Sequence, residues 1–164
     1  LRARSCGGGG VDLSSSFEKR GWYEWVVTLG GLGRIVPMPG TVASLAACLV
    51  ASVVTIPIWV VGIVAALGLF TVYLYIKETQ GVDPKEVVID EIVGSWIAVW
   101  GHGLSYALPA FLLFRIFDIL KPMPVSTVEK RLPGTWGIMA DDVVAGCLAN
   151  VVLWLLRWAF GLGG

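Results

Sequence analysis

Three long stretches without a charged side chain constrain the fold of this chain more than any other feature. They cover 42, 23 and 14 residues and lie, in chain order, between Arg34 and Lys77, between Glu91 and Arg115, and between Asp142 and Arg157. A helix that crosses a bilayer needs about 20 mainly apolar residues. A mean hydropathy of +0.78 and eight tryptophans are also typical of a membrane protein. The sequence therefore predicts an all-α fold, a polytopic membrane helical bundle.

Two of these stretches are long enough to hold more than one helix. We divide the first at Pro57 into helices Thr41–Ile56 and Ile58–Ile76, which would form a hairpin. The second allows either one span or two short helices that turn at Gly101-His102-Gly103. We favour the second hairpin because it brings every charged cluster to the same side of the membrane. With a last helix over Ile138–Phe160, the prediction is about five membrane helices arranged as hairpins.

The distribution of positive charge predicts the orientation of the bundle. Eleven of the twelve Lys and Arg side chains fall on one face in this topology, and only Arg157 lies near the other. Because positive loops face the cytoplasm, we predict a multi-pass protein of the plasma (inner) membrane whose charged face is cytoplasmic. Residues 1–25 are predicted to be a flexible tail, without a cleavable signal peptide, before a membrane domain over residues 26–164. The net charge of zero argues against nucleic-acid binding.

Acidic side chains cluster at the ends of the apolar stretches. Asp90-Glu91 and Asp141-Asp142 each enter an apolar helix, and Asp118 lies between Arg115 and Lys121 in a third. Each cluster alone has a simple explanation, because acids favour the first turn of a helix and Asp118 can pair privately with Arg115. Packed at one face of one bundle, however, five carboxylates would repel one another without cations. Hard oxygen ligands of this kind suit Mg²⁺, so we predict a shared metal site.

A glycine-rich loop precedes the first long apolar stretch. Glycines between Gly30 and Gly33 permit close approach of a ligand to the backbone, and Arg34 adds positive charge. Pro39-Gly40-Thr41 then opens a helix, with Thr41 as the expected N-cap, and helix N-termini bind anions. The alternative is an ordinary loop and cap. The loop lacks the Lys-Ser/Thr ending of a P-loop, so nucleotide binding is not supported.

Several kinds of phosphatase and hydrolase site are excluded by the residues present. None of the three cysteines begins a Cys-x5-Arg motif, and a phosphohistidine mechanism needs more than the single His102. The Asp-x-Asp signature of aspartyl-phosphate enzymes and the Gly-x-Ser-x-Gly elbow of serine hydrolases are also missing. The remaining chemistry is a carboxylate–metal site that activates water.

Four sequence blocks, in order along the chain, resemble the phosphatidylglycerophosphatase A family. They are Gly-x-Gly-x-x-Pro-x-x-Pro-Gly-Thr at residues 31–41, Ile-Asp-Glu-Ile-Val-Gly at 89–94, Phe-Arg-x-x-Asp-x-x-Lys-Pro-x-Pro at 114–124, and Gly-Ile-Met-x-Asp-Asp-x-x-Ala-Gly at 137–146. The resemblance implies a Mg²⁺-dependent membrane phosphatase that converts phosphatidylglycerophosphate to phosphatidylglycerol in phospholipid biosynthesis.

This resemblance leads us to assign roles to ten residues. The carboxylates would hold one or two Mg²⁺ ions and orient or deprotonate the attacking water; they are Asp90, Glu91, Asp118, Asp141 and Asp142. Arg115 and Lys121 would neutralise the phosphoryl oxygens, whereas Arg34, Gly40 and Thr41 would cradle the phosphate or glycerol. Whether Asp118 binds metal or only anchors Arg115 stays open, as does the oligomeric state.

Three alternatives remain at this point. The substrate could be another phosphomonoester, because some members of such a family act on different substrates. A small ion-coupled transporter also carries acids in its spans, although the second face here offers only His102 and Arg157 as ionisable groups. The last alternative is a structural membrane adaptor.

Overall fold

A computed structural model describes residues 21–79, 87–132 and 134–161. Every regular element in these ranges is helical. In chain order the helices are α1 (Trp22–Val27), α2 (Leu32–Ile35), α3 (Pro39–Val53), α4 (Ile58–Thr79), α5 (Ile89–Val99), α6 (Ala107–Leu120), α7 (Val125–Arg131) and α8 (Thr135–Ala159), with a short 3₁₀ turn at Leu104–Tyr106 before α6. The all-α prediction is therefore confirmed for the described part of the chain.

Two of these helices are long and apolar enough to cross a membrane. They are α4 and α8, and the pair formed by α5 and the Leu104–Leu120 segment counts as a third if it is one broken span. Helix α3 is also apolar but has only 15 residues. Its length is about 22 Å at 1.5 Å per residue, which is less than the roughly 30 Å hydrocarbon core. The chain is thus a helical membrane protein with two or three candidate spans by length. The count of about five spans stays a prediction.

The breaks between helices follow from local sequence. Helix α3 ends at Val53 and α4 begins at Ile58, so the chain breaks around Pro57 as predicted. Between α5 and α6 the chain bends by 119°, and Gly101 has a φ of 79° at the bend. Helix α6 ends at Leu120, because Lys121 precedes a proline and takes a left-handed conformation with a φ of 43°.

Two helix starts differ from the predictions. Met38, not Thr41, is the N-cap of α3, and Pro39 occupies the first helical position, where its fixed φ and missing N–H are both tolerated. Helix α8 begins at Thr135 rather than near Ile138, after Gly134 with a φ of 62°. Most of the predicted tail, residues 1–20, lies outside the described ranges, and α1 begins at Trp22.

Helices α5 and α8 approach each other at backbone distance. A Cβ on Gly146 would overlap the carbonyl group of Gly94, and one on Gly94 would lie 2.7 Å from the carbonyl oxygen of Asp142 and overlap the ring of Phe114. This contact requires glycine at both positions. It also brings the N-terminal turn of α5 beside the second turn of α8, and these two turns carry the two acidic pairs.

The hydrophobic residues divide between two buried clusters and an exposed surface. One cluster packs α1, α4, α5 and α8 together around Val27, Val72 and Met139, and the other joins α5, α6 and α8 around Phe114. Many large apolar side chains of α3, α4 and α8 remain exposed, Trp158 among them with 85% of its surface accessible. An outer apolar surface of this extent matches a protein surrounded by lipid.

Candidate active site

One cavity of about 690 Å³ collects nearly all the predicted site residues. It lies where the start of α3, the start of α5, the end of α6 and the first turns of α8 meet. Nine of the ten predicted residues line it: Gly40, Thr41, Asp90, Glu91, Arg115, Asp118, Lys121, Asp141 and Asp142. Acids from three distant parts of the chain therefore share one environment, as the repulsion argument required.

Arg34 is the predicted site residue that does not line this cavity. It lies in a separate, smaller pocket beside α1, where its Nη1 is 3.3 Å from Glu24 Oε2. The glycine-rich loop folds back toward α1 because Thr28 accepts a hydrogen bond from the N–H of Gly31 at 2.9 Å. The position of Arg34 therefore does not support its predicted contact with phosphate.

The first turn of α5 supplies two carboxylates with different surroundings. Asp90 is 8% exposed, and its Oδ1 accepts a hydrogen bond from the N–H of Glu91 at 3.0 Å. The Oε1 atom of Glu91 lies 3.6 Å from Arg115 Nη1, whereas its buried Oε2 meets no hydrogen-bond donor among the described residues. A buried carboxylate oxygen without a donor is costly, so this atom is a candidate ligand for a cation.

Arg115 connects three helices at one side of the cavity. Its Nη1 donates to Asp118 Oδ2 at 2.7 Å on the same helix, and its Nη2 donates to Thr41 Oγ1 of α3 at 3.4 Å. The contact with Glu91 of α5 completes this set. The geometry favours Asp118 as the anchor that orients the guanidinium, which was one of the two roles left open.

Helix α8 supplies the most deeply buried acidic pair. Asp141 and Asp142 are 7% and 4% exposed and lie in the second turn of the helix, so the helix-dipole explanation considered for them is wrong. Four other carboxylates line the same cavity as Asp142 and repel it when ionised: Asp90, Asp118, Asp141 and Glu91. Lys121 Nζ donates to Asp141 Oδ2 at 2.8 Å and offsets part of this repulsion.

Gly40 has a steric role that the sequence argument missed. A Cβ at this position would overlap the carboxylate of Glu91. The predicted anion site at the helix N-terminus is weakened, because the N–H groups of Thr41 and Val42 already donate to Met38 O at 3.1 and 3.4 Å. Gly40 thus leaves room for the Glu91 carboxylate where α3 approaches α5, a contact between elements that the local sequence does not reveal.

The chemistry of the donor set fits a hard divalent cation. All five acids offer oxygen, which Mg²⁺ prefers, and Glu91 Oε2 is buried without a donor from the described ranges. Within the part of the chain that the structure describes, no three Asp, Glu, His or Cys side chains converge as a ready ligand group. Two carboxylates are instead engaged by cationic side chains, since Lys121 contacts Asp141 and Arg115 contacts Asp118.

Comparison with known proteins identifies the family. The model of the family described as phosphatidylglycerophosphatase A matches residues 25–157. The chain belongs to this family. It is 31% identical over 152 residues to a phosphatidylglycerophosphatase A of Escherichia coli K12, a match that covers 86% of this chain and 87% of that protein. A protein of the same name from Haemophilus influenzae is 37% identical over 138 residues, covering 78% and 84%.

A third relative carries a different name. It is a putative phosphatidylinositol-3-phosphatase of Bacteroides thetaiotaomicron, 40% identical over 91 residues. This match covers 52% of the present chain and 57% of the length of that relative. No solved structure matches the chain significantly.

Proposed function

We propose that this protein hydrolyses phosphatidylglycerophosphate to phosphatidylglycerol and inorganic phosphate in the carboxylate cavity, with Mg²⁺ as cofactor. The reaction class follows from the family: as a phosphatidylglycerophosphatase A, the chain is a phosphoric monoester hydrolase of lipid metabolism. The observation that carries the assignment to this site is the cavity itself, in which five carboxylates and two cationic side chains from α5, α6, α8 and the segment after α6 meet.

Four carboxylates would hold the cation, namely Asp90, Glu91, Asp141 and Asp142. Bound Mg²⁺ would offset the charge of the phosphate and polarise both the phosphoryl oxygens and a water molecule. A carboxylate of this cluster would accept the proton of the attacking water. The water oxygen then bonds to phosphorus as the bond between phosphorus and the glycerol oxygen breaks, and a proton passes to that leaving oxygen.

Arg115 and Lys121 would bind the phosphoryl oxygens. Positive groups fixed in position stabilise the charge that develops during phosphoryl transfer. Arg115 is held in place by Asp118 and Thr41, so little reorganisation would be needed when phosphate arrives. Lys121 would break its hydrogen bond to Asp141 and donate to the phosphate instead. The Asp141 oxygen that it leaves could then bind the cation.

The proposed orientation has the cavity at the cytoplasmic surface of the plasma membrane. The excess of Lys and Arg at the cavity end of the bundle supports it through the positive-inside rule. With the headgroup in the cavity, the lipid tails stay in the bilayer. A multi-pass topology of about five spans, with α3 and the bent α5–α6 pair inserted beside α4 and α8, is part of this proposal.

Phosphate release by the purified protein in detergent micelles tests the function. Phosphatidylglycerophosphate should be hydrolysed with Mg²⁺, and excess EDTA should stop the reaction. Asp142→Asn should lower kcat roughly 10²–10³-fold while the protein stays folded, because it removes one charged oxygen ligand at the reacting centre. Glu78→Gln is the matched control: it also converts a carboxylate to an amide, but outside the cavity, where Glu78 accepts a hydrogen bond from the hydroxyl of Tyr23.

The outcomes separate the candidate functions. Wild-type turnover by Asp142→Asn would remove this cluster from the mechanism. Faster hydrolysis of phosphatidylinositol 3-phosphate than of phosphatidylglycerophosphate would favour the second substrate, which the name of the Bacteroides relative suggests. Uptake of Mg²⁺ into vesicles without release of phosphate would support the transporter alternative instead.

A further inference from the structure

A largely apolar groove adjoins the carboxylate cavity between α4 and the start of α8. Its volume is about 780 Å³, and Gly134 lines both the groove and the cavity. One wall comes from a single face of α4, whose lining positions are spaced three or four residues apart: Ala66, Leu69, Phe70, Tyr73, Ile76 and Lys77. Thr135 and Trp136 form the opposite wall.

The length of the groove matches one leaflet of a bilayer. From Ala66 to Lys77 the helix rises through eleven residues, about 16 Å at 1.5 Å per residue, and half of the hydrocarbon core is about 15 Å. Lys77 is in the last turn of α4 and lines the groove together with Gly134, which also lines the cavity. A groove of this length that opens from the carboxylate cavity would reach about the middle of the membrane.

We propose that an acyl chain of the lipid substrate occupies this groove while the terminal phosphate is in the cavity. This inference rests on the proposed function and specifies how its substrate is bound. Phosphatidylglycerophosphate carries a phosphodiester between its acyl chains and its terminal phosphate. Lys77, one of the residues that line the groove, offers a positive charge for that phosphodiester. The groove is then the route by which the lipid enters sideways from the bilayer.

A second apolar groove provides an internal comparison. It lies between α3 and α5, includes Ala46, and has a volume of about 250 Å³. Among the described residues it shares no lining residue with the carboxylate cavity. Continuity with the cavity, a larger volume and the neighbouring Lys77 all favour the α4 groove as the site of the acyl chain.

Two matched substitutions test the assignment. Ala66→Trp would fill the α4 groove and Ala46→Trp the second groove, and both alanines are exposed on apolar helices. For each variant, kcat/KM is measured for dioleoyl phosphatidylglycerophosphate and for the water-soluble headgroup without acyl chains. Ala66→Trp should lower the ratio of the two values about tenfold, as expected when a ring is forced into an occupied site. Ala46→Trp should keep the wild-type ratio.

Other results would overturn the inference. A wild-type ratio for Ala66→Trp, or an equal fall for Ala46→Trp, would refute the α4 groove as the acyl site. Phosphate release by the wild-type protein from neither substrate would instead refute the proposed function, and the inference with it. If Ala66→Trp does not fold, a substrate with a photoreactive group midway along its acyl chain can be bound to Asp142→Asn. Cross-links should then map to 66–77, and cross-links confined to 42–50 would contradict the proposal.

Discussion

The glycine contact between α5 and α8 predicts that Gly146→Ala will damage both stability and activity. The added Cβ would overlap the Gly94 carbonyl group and lie 3.0 Å from its carbon, so neither a rotamer change nor a flexible side chain can relieve the overlap. The two helices must move apart, and overpacking of this kind costs about 1–3 kcal/mol of unfolding free energy. Because these helices carry the two acidic pairs, a shift on the order of 1 Å would also lower turnover by roughly 10²-fold.

Gly62→Ala is the matched control for this experiment. Gly62 is also inside a helix, α4, but a Cβ there would meet nothing within 4 Å. Both substitutions gain similar helix propensity, about 1 kcal/mol relative to glycine, so their difference isolates the overlap. Thermal unfolding in detergent should give a lower Tm for Gly146→Ala than for Gly62→Ala, and phosphate release should follow the same order. Equal Tm values and equal turnover would refute the argument that backbone contact positions the acids.

Two further predictions concern other parts of the bundle. Gly40→Ala should lower kcat about tenfold or more with little change in Tm, because the added Cβ displaces the Glu91 carboxylate from Arg115. Gly103→Ala is the control: a Cβ there meets nothing within 4 Å, so kcat should stay at the wild-type value. Arg157→Ala should lower the unfolding free energy by about 1–2 kcal/mol, measured by denaturation in micelles, because the guanidinium lies 4.6 Å from the Trp154 ring and 4.8 Å from the Tyr106 ring. Arg157→Lys should retain part of that stability, and a wild-type Tm for both Arg157 variants would contradict the reasoning.

The sequence predicted the features that depend on local composition. Uncharged stretches located the apolar helices because an ionised side chain inside a bilayer costs free energy whatever the tertiary contacts around it. Pro57 and Pro122 marked helix ends for equally local reasons. The convergence of acids could also be inferred, since the number of carboxylates at comparable helix ends required a common explanation.

Features that depend on contacts between distant segments could not be predicted in this way. Arg34 looked like a phosphate ligand because it follows a glycine-rich loop, but the fold of α1 brings Glu24 to it instead. Asp141 and Asp142 seemed to lie at the start of a helix, whereas α8 begins earlier, at Thr135, so that both acids are in its second turn. His102 lies in the connection between α5 and α6, but its burial and its contact with Arg157 could not be predicted; it is 7% exposed, and its Nδ1 lies 3.0 Å from Arg157 Nη1.

The charge of the cavity explains why cation and substrate should bind together. Among its described lining residues, five carboxylates and two cationic side chains leave a formal charge of −3. A phosphate monoester adds about −1.5 to −2 at neutral pH, and one pair of like charges 4 Å apart repels by about 4 kcal/mol at an effective dielectric constant of 20. The same acids that would repel the substrate are the oxygen ligands that a divalent cation prefers. A bound cation would therefore convert the carboxylates from groups that oppose phosphate binding into groups that support it.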